Sequence, residues 1–420
     1  MSLGSAGLVP DFFIRLPSLA ALVRAALTCR EWRRAVASSP EFRRRFHATH
    51  PDPLLGLFFS IPGPAQTPNL PAFPSFAPTC CRDCDTSAAV RGSDFFLTSL
   101  QARLEEEHQN WDIIDCCRGY CLLMNWDDAL LAVFNLLTRR IEFVVYMTSP
   151  EFFKEACGNR HPALLNARLL CSDDNGQPKS FRLVVLSLDD SRIRANICSS
   201  DTGEWSSLPW VEKMPTPLRS TESFRSNCWL QNQGSMQANG VLYWVYKDWR
   251  YLVSLDTATM VFSVVPLPQC LIHCSFDVDE TKDGATCIVY EDGLNVGVLL
   301  HTKDDDGADR WVVDRVVFLR YELDEILRAG LHDDSALFHL VDNSRWLYVL
   351  TVQDGYAYLS THEKLHDPET PCWFLSLCLE TMKLERLFRR TFDGDVHPYI
   401  MAWPPSLVGD YGRFAVEDTT

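Results

Sequence analysis

The sequence contains little that would direct a chain into or across a membrane. No stretch of 18 apolar residues occurs, and the best candidate, Ala129 to Phe134, is far too short to cross a bilayer. The first residues lack the basic segment followed by an apolar one that marks a secretory signal. We therefore expect a protein of the cytoplasm and/or nucleus that does not bind membranes.

Motifs of the common catalytic sites are absent as well. There is no G-x-S-x-G elbow, no phosphate-binding P-loop, no G-x-G-x-x-G turn and no H-E-x-x-H pair. The acidic run 304–307 lacks the alternating ligands and the final glutamate of a calcium loop, so a solvated turn is expected. We predict no catalytic residue, no cofactor and no enzymatic activity. An enzyme would require convergent carboxylates at a central opening, for example near Asp189 or Asp279.

A structural metal site is not expected either. The chain has sixteen cysteines, but a C-x-x-C spacing occurs only at Cys81 and Cys84. A structural zinc site needs four ligands, usually supplied as two such pairs. Thiols stay reduced inside the cell, and residues such as Cys198 and Cys287 lie in apolar runs. We therefore interpret the cysteines as loop and core residues and predict no metal.

The charge of the chain is distributed unevenly. The net charge is −16, yet residues 1–50 contain eight arginines and no lysine and sum to +5, which leaves about −21 for the rest. An acidic body argues against nucleic acid as a partner. Six arginines could form either a solvated helix face or a contact for an acidic protein. They are Arg30, Arg33, Arg34, Arg43, Arg44 and Arg45.

The first fifty residues predict three short amphipathic helices. Apolar residues from Leu19 onward recur at i, i+3, i+4, i+7 and i+8, and Ser18 occupies the N-cap position. A second helical face runs through Trp32, and Ser39 followed by Pro40 starts a third helix. Because so small a module buries its own apolar surface poorly, we expect it to dock onto a partner.

This segment resembles an F-box, the module that docks onto the Skp-type adaptor of cullin ubiquitin ligases. The resemblance implies an adaptor-facing surface that is formed or supported by seven residues. They are Leu16, Pro17, Leu22, Ala26, Cys29, Trp32 and Val36. The usual opening of the family is longer, since residues 9–17 leave room only for a first helix that is shorter by about a turn or more.

The continuation from Pro40 to Gly56 is similar to a large group of cereal-type plant F-box proteins. In that group the C-terminal part is an F-box-associated β-propeller. We therefore expect an F-box-like helical module at 8–50, a proline-rich connector and lead-in at 51–108, the propeller at 109–405 and a tail at 406–420. The connector is inferred from six prolines between positions 61 and 78, because proline fixes φ and removes a ladder donor.

From Trp111 onward the sequence consists of short apolar runs bounded by turn residues, which is typical of antiparallel strands. A weak turn motif recurs around Thr138, Thr202, Thr257 and Thr381, at steps of 64, 55 and 124 residues. Units of this length with four strands are the blades of a β-propeller of kelch-like size. We predict a mainly β chain, with a three-helix F-box-like module followed by a kelch-like β-propeller of unspecified blade number.

These observations favour two functions. The first is the substrate-recognition subunit of a Skp-cullin-F-box ubiquitin ligase, in which the helices bind the adaptor and the propeller binds an unknown target protein. The second is a propeller interaction module whose degenerate F-box does not engage the ligase. Trp210, Trp229 and Trp249 lie near turn-rich segments where a target could bind, although burial between blades is the more common role of such residues. Residues 115–119 are interpreted as a plain turn between two strands.

Overall fold

The fold described here is that of a computed structural model. It describes residues 8–50, 52–60, 73–79, 84–101, 110–147, 152, 163–164, 167–171, 180–189, 192–212, 229–231, 234–281, 283–303, 309–328, 345–363, 370–392, 394–401 and 403. The acidic run 304–307, Cys80, Cys81 and the tail at 406–420 lie outside these residues.

The chain starts with four helices, which are the three that the amphipathic pattern predicts and one short helix before them. They are α1 (Leu8–Phe13), α2 (Leu19–Ala26), α3 (Arg30–Ala37) and α4 (Pro40–Thr49). The additional helix, α1, has only six residues, too few to show a helical period in the sequence. The predicted caps are present, since the hydroxyls of Ser18 and Ser39 accept hydrogen bonds from backbone amides at 3.2 and 3.1 Å.

Two strands and two short helices follow before the first complete blade. They are β1 (Leu54–Phe59), β2 (Ser75–Pro78), α5 (Cys84–Gly92) and α6 (Thr98–Gln101). The strand β1 carries the apolar sequence LLGLFF, and five of its six residues are buried. Because these residues are buried, β1 is part of the protein core and is not a linker on the surface.

Five antiparallel sheets then follow in chain order, and each forms one blade. Blade 1 contains β3 (Trp111–Cys117), β4 (Tyr120–Asn125), β5 (Leu130–Asn135) and β6 (Arg140–Tyr146). Blade 2 contains β7 (Ala163–Leu164), β8 (Arg168–Cys171), β9 (Phe181–Leu188), β10 (Ile193–Ser199) and β11 (Trp205–Ser207). Blade 3 contains β12 (Met236–Ala238), β13 (Val241–Val245), β14 (Tyr251–Asp256) and β15 (Phe262–Pro266).

The next two blades have the same four-stranded order. Blade 4 contains β16 (Phe276–Glu280), β17 (Thr286–Asp292), β18 (Asn295–Lys303) and β19 (Asp309–Phe318). Helix α7 (Arg320–Arg328) connects it to blade 5, which contains β20 (Arg345–Gln353), β21 (Tyr356–Glu363), β22 (Cys372–Cys378) and β23 (Leu384–Arg390). The last strand of the chain is β24 (Val396–Ile400).

The sixth blade joins the two ends of the propeller sequence. Strand β24 pairs antiparallel with β1, and β1 pairs antiparallel with β2, so that the sheet order is β2-β1-β24. Residues 54–59 and 75–78, which the sequence placed in a connector, are therefore structural strands of the propeller. The sequence could not show this, because the partner of β1 lies more than 300 residues away and pairing between such distant segments leaves no local pattern.

The ring is closed by packing as well as by strand pairing. Six hydrophobic clusters of described residues lie between adjacent blades, one for each of the six contacts around the ring. The cluster between blades 6 and 1 includes Phe58, Tyr399, Trp111 and Phe134, all of which are almost completely buried. The molecule is therefore a six-bladed β-propeller, and the β-propeller predicted from the sequence is confirmed.

The recurrent turn motif occupies the same place in four blades. Residues Thr138, Thr202, Thr257 and Thr381 lie in the turns that join the third strand of a blade to the fourth. In blade 2 this turn has Gly203 at φ 69°, a left-handed conformation that glycine adopts without strain. The repeat read from the sequence thus marks equivalent positions in the blades.

Candidate partner-binding surfaces

Three of the seven residues predicted to face or support an adaptor lie in the core of the helical module. Leu22, Ala26 and Val36 are completely buried, together with Phe13, Leu19, Phe42 and Phe46. They hold α2, α3 and α4 together and cannot themselves touch a partner in this conformation. Their contribution to docking would be indirect, because they fix the helices whose outer faces carry the exposed residues.

The other four predicted residues lie at or near the surface. Pro17 and Cys29 are exposed, Leu16 is half-buried and Trp32 is 38% exposed. Cys29 caps α3, because its sulfur accepts a hydrogen bond from the Trp32 amide at 3.4 Å. The Trp32 ring rests edge-on against Phe13 at 5.4 Å, so one side of the ring is held by the core while the other faces solvent.

The structure adds two apolar residues that sequence reasoning missed. Phe12 is 65% exposed on α1, and Leu27, the C-cap of α2, is 50% exposed. We call Phe12, Pro17, Leu27, Cys29 and Trp32 the exposed corner of the module. Side chains as large as Phe12 and Leu27 lose about 1.5–3 kcal/mol of hydrophobic stabilisation when they are left in water instead of being buried. An exposed corner of this kind is typical of an interaction site.

The six arginines do not form one uniform patch. Arg43 is buried and donates a hydrogen bond to the carbonyl oxygen of Ala37 at 2.8 Å, so it stabilises the α3–α4 junction. Arg45 lies 3.3 Å from the Asp11 carboxylate, and Arg44 pairs with Glu41 on the same helix. Arg30 and Arg34 are exposed on α3, and they remain the candidates for contact with an acidic partner.

The helical module is packed onto the propeller. Trp403, just beyond the end of β24, is buried in the core of the module, with its ring 5.8 Å from Phe46 and 4.9 Å from His47. A second link is the ion pair between Arg24 on α2 and Asp85 on α5, at 2.8 Å. The module and the propeller are therefore in direct contact. The sequence does not indicate these contacts, because they form where the end of the chain returns to the module.

The module lies on one face of the ring. The turns that join first and second strands, at Arg118–Gly119, Asn239–Gly240 and Asp354–Gly355, share a face that we call the first-turn face. The Tyr399 hydroxyl, near the end of β24, donates a hydrogen bond to the Gly119 carbonyl oxygen at 2.7 Å, so the end of β24, with Trp403 of the module core just beyond it, lies beside this face. The opposite, second-turn face carries Trp126, Asp248 and Gly293 in the turns between second and third strands.

The three tryptophans near turn-rich segments are mostly part of the fold. Trp229 is buried, and its indole nitrogen donates to the Asp189 carbonyl oxygen at 2.9 Å. The Trp210 ring is half-buried with the Arg194 guanidinium 4.5 Å from its centroid. Trp249 packs edge-on against Phe276 at 6.0 Å. On the second-turn face the exposed ring is that of Trp126, at 47%.

The first strands of the blades surround a central channel that contains charged groups. Arg168 on β8 forms an ion pair with Asp115 on β3 at 3.3 Å. The second oxygen of Asp115 accepts a hydrogen bond from the Leu169 amide at 2.9 Å. Burial raises the pKa of Asp115, while Arg168 and this amide oppose the rise. Sequence reasoning treated this residue as part of a plain turn, and nothing local signals that its carboxylate fastens blade 1 to blade 2.

Asp277 on β16 links blade 4 to blade 5 in the same way. Its Oδ2 atom accepts hydrogen bonds from the Val352 amide at 2.7 Å and from the Thr351 hydroxyl at 2.8 Å. Both carboxylates therefore use their oxygens to hold the backbone of the adjacent first strand. This arrangement is structural, since an oxygen that is committed to backbone donors is a poor general base.

Burial shifts the pKa of two further groups near the channel towards the neutral form. Desolvation raises the pKa of Asp279 to about 8, and its Oδ2 has no hydrogen-bond partner among the described residues. Burial, aided by the charge of Arg168, lowers the pKa of His397 to about 3. No group of three or more metal-binding side chains is found among the described residues. Within the same residues, no helix is long and apolar enough to span a membrane.

The architecture is that of a six-bladed β-propeller with a small helical module on one face. Sequence comparison assigns the chain more closely. It belongs to the family described as F-box protein AT5G49610-like, whose β-propeller model matches residues 112–407. The match covers the strands of blades 1 to 5 and β24, and it extends neither to β1 and β2 nor to the helical module. A search of curated protein sequences finds no match.

The chain is only distantly similar to solved structures. A protein of unknown function from Bacteroides caccae is 10% identical, with 83% of this chain and 99% of that chain covered and a TM-score of 0.38. A post-proline cleaving enzyme from Rickettsia typhi is 9% identical, with coverages of 92% and 58% and a TM-score of 0.36. One of two prolyl endopeptidases studied for inter-domain dynamics is 10% identical, at a TM-score of 0.33, with 77% of this chain covering only 46% of that one. Similarity at this level carries no functional argument.

Proposed function

We propose that the chain is the substrate-recognition subunit of a Skp-cullin-F-box type ubiquitin ligase. In this proposal the helical module binds the Skp-type adaptor and, through it, a cullin, and the propeller binds a target protein. The observation that carries the proposal is the exposed corner on an F-box-like module, in a chain whose propeller belongs to an F-box family. Such a chain would act inside the cell, in the cytoplasm or the nucleus.

The contribution of this chain would be proximity and orientation, with the chemistry performed by other subunits. Trp403 supports that role, because it fixes the module to the first-turn face and so sets the position of a bound target relative to the adaptor. The second-turn face lies on the other side of the ring and is the natural place for the target. The carboxylates Asp115 and Asp277 are engaged with backbone donors, which favours a binding protein over an enzyme.

The proposal is tested by adaptor binding of matched variants of the full chain. Leu27→Glu places a charge in the exposed corner, while Ile272→Glu changes an aliphatic residue of similar exposure, 41% against 50%, on the propeller. An interface anchor contributes about 2 kcal/mol or more, so Leu27→Glu should weaken adaptor binding about thirtyfold. Calorimetry or co-purification with the purified Skp-type adaptor provides the measurement, and Ile272→Glu should bind like the unchanged protein.

A double change of Leu16 and Pro17 to alanine tests the predicted residues directly and should also abolish co-purification with the adaptor.

The alternative function is an interaction module whose F-box does not engage the ligase. The six-residue α1 favours it, because a short first helix offers less surface to a partner. If the unchanged protein fails to bind the adaptor at micromolar concentration, the ligase proposal fails and this alternative replaces it.

A further inference from the structure

The outermost strand of blade 4 exposes several apolar side chains. Strand β19 has ten residues, pairs with β18 along one edge and leaves its other edge at the circumference of the ring. Val312, Val313, Val316 and Phe318 are exposed by 44, 55, 42 and 70%. Natural proteins usually protect such edges with charges or with very short strands, because an exposed edge pairs readily with another strand.

The sequence of this strand is complementary to itself in the antiparallel direction. From Trp311 to Phe318 it reads aromatic, two valines, aspartate, arginine, two valines, aromatic. Two antiparallel copies centred between Asp314 and Arg315 bring each residue opposite one of matching chemistry. Aspartate then faces arginine, valine faces valine, and tryptophan faces phenylalanine. Cross-strand pairs of these kinds stabilise the pairing of antiparallel strands.

We propose that β19 pairs antiparallel with the β19 strand of a second copy of this chain, around a two-fold axis between Asp314 and Arg315. The axis produces two Asp314–Arg315 pairs, two Val313–Val316 pairs and two Trp311–Phe318 pairs between the copies. A two-fold arrangement is closed, because each copy uses its single exposed β19 edge and leaves none for a third chain. The two copies therefore form a dimer and not a filament.

The local geometry of the strand is compatible with this axis. The register of β18 and β19 shifts between Val298 and Leu299, so that Asp314 is an additional residue and β19 bends there. Because the two-fold axis passes beside Asp314, the bends of both strands coincide and the pairs on either side stay in register. Within one copy the Arg315 Nε donates to Asp314 at 2.5 Å, so both charges already lie together at the centre of the strand.

A matched pair of lysine variants tests the surface. Val313→Lys introduces a charge at the centre of the proposed interface, and Val144→Lys does the same at a valine that is 46% exposed on the outer strand β6 of blade 1. We expect light scattering and sedimentation of the full chain to show a concentration-dependent dimer. Val313→Lys should raise its dissociation constant at least tenfold, while Val144→Lys should leave it unchanged. A monomer at about 100 μM, or equal effects of both variants, would overturn the proposal.

A charge exchange tests the register. Asp314→Arg and Arg315→Asp each place like charges opposite one another across the axis, so each alone should weaken the dimer. The double variant restores opposite charges in the exchanged order, and its dissociation constant should return to within a few-fold of the original. If the double variant is as weak as either single variant, the register is wrong. Larger assemblies in place of a dimer would show open-ended edge aggregation and would also contradict the two-fold arrangement.

Discussion

Individual acidic residues of this chain have different structural roles. Asp115 is buried and Asp277 is half-buried beside the channel, and each accepts a hydrogen bond from a backbone amide of the next blade. Each links two first strands that are distant in sequence. Removing such an acceptor would leave buried donors without a partner, which costs about 1–3 kcal/mol for each group.

Asp279 differs from them, because one of its oxygens has no partner among the described residues. Its pKa rises from the ordinary 3.8 to about 8 through desolvation. Between pH 4 and 8 the native state therefore binds more protons than the unfolded state, and the free energy of unfolding falls as the pH rises. Asp279→Asn removes this ionisation. We expect the variant to gain about 1–3 kcal/mol relative to the unchanged protein between pH 5 and pH 8.

Urea unfolding at both pH values measures this difference. Asp283→Asn, at an exposed residue in the same β16–β17 turn, removes an equal formal charge and serves as the control. The control should shift stability by the same small amount at both pH values. If Asp279→Asn also shifts it equally at pH 5 and pH 8, Asp279 is ionised at neutral pH and its environment is not as described.

At the scale of elements, the closure of the ring depends on the fit of β1 between its neighbours. Gly56 lies where a Cβ atom would come within 2.4 Å of both the Ala77 carbonyl oxygen and the Phe76 ring. The register of β1 and β24 is also irregular between Leu54 and Gly56. Glycine permits this close approach of two strands, and no larger residue fits without displacing backbone.

We therefore expect Gly56→Ala to destabilise the protein by about 1–3 kcal/mol, because it overpacks the strand that completes blade 6. Gly92→Ala, at the end of α5, is the matched control, since a Cβ there meets nothing within 4 Å. Thermal and urea unfolding of the two variants provide the comparison. A Gly56→Ala protein as stable as the control would show that β1 does not pack between β2 and β24 as described.

At the scale of the whole molecule, the helical module and the propeller are joined by Trp403. Truncating a buried tryptophan typically costs about 3–5 kcal/mol. Because Trp403 contacts Phe46 and His47, we expect Trp403→Ala to loosen the module while the propeller stays folded. Hydrogen exchange should become much faster in residues 8–49 and stay unchanged in blades 3 and 4.

Trp126→Ala, at a 47% exposed ring on the second-turn face, is the control for the loss of a tryptophan. It should leave exchange in the module unaltered. Faster exchange throughout the ring in Trp403→Ala would mean that the module and the propeller unfold as one unit. Unaltered exchange in the module would mean that its own core is sufficient and that Trp403 does not anchor it.

Features that depend on neighbouring residues along the chain could be predicted from the sequence. The caps at Ser18 and Ser39, the alternation of short apolar runs with turns, and the turn motif around Thr202 and Thr257 follow from local preferences of backbone and side chain. Those preferences were enough to predict a β-propeller preceded by a helical docking module, and to identify the F-box resemblance.

Features that depend on contacts between residues far apart in the sequence could be seen only in the folded protein. It set the blade number, because β1 and β2 complete the sheet of β24 from the other end of the chain. It also separated the predicted docking residues into a buried set around Leu22 and an exposed set around Trp32. Both kinds of residue are apolar and lie at helical spacing, so their pattern is the same. Burial is decided by what packs against a helix, and in this protein part of that packing comes from Trp403, at the opposite end of the chain.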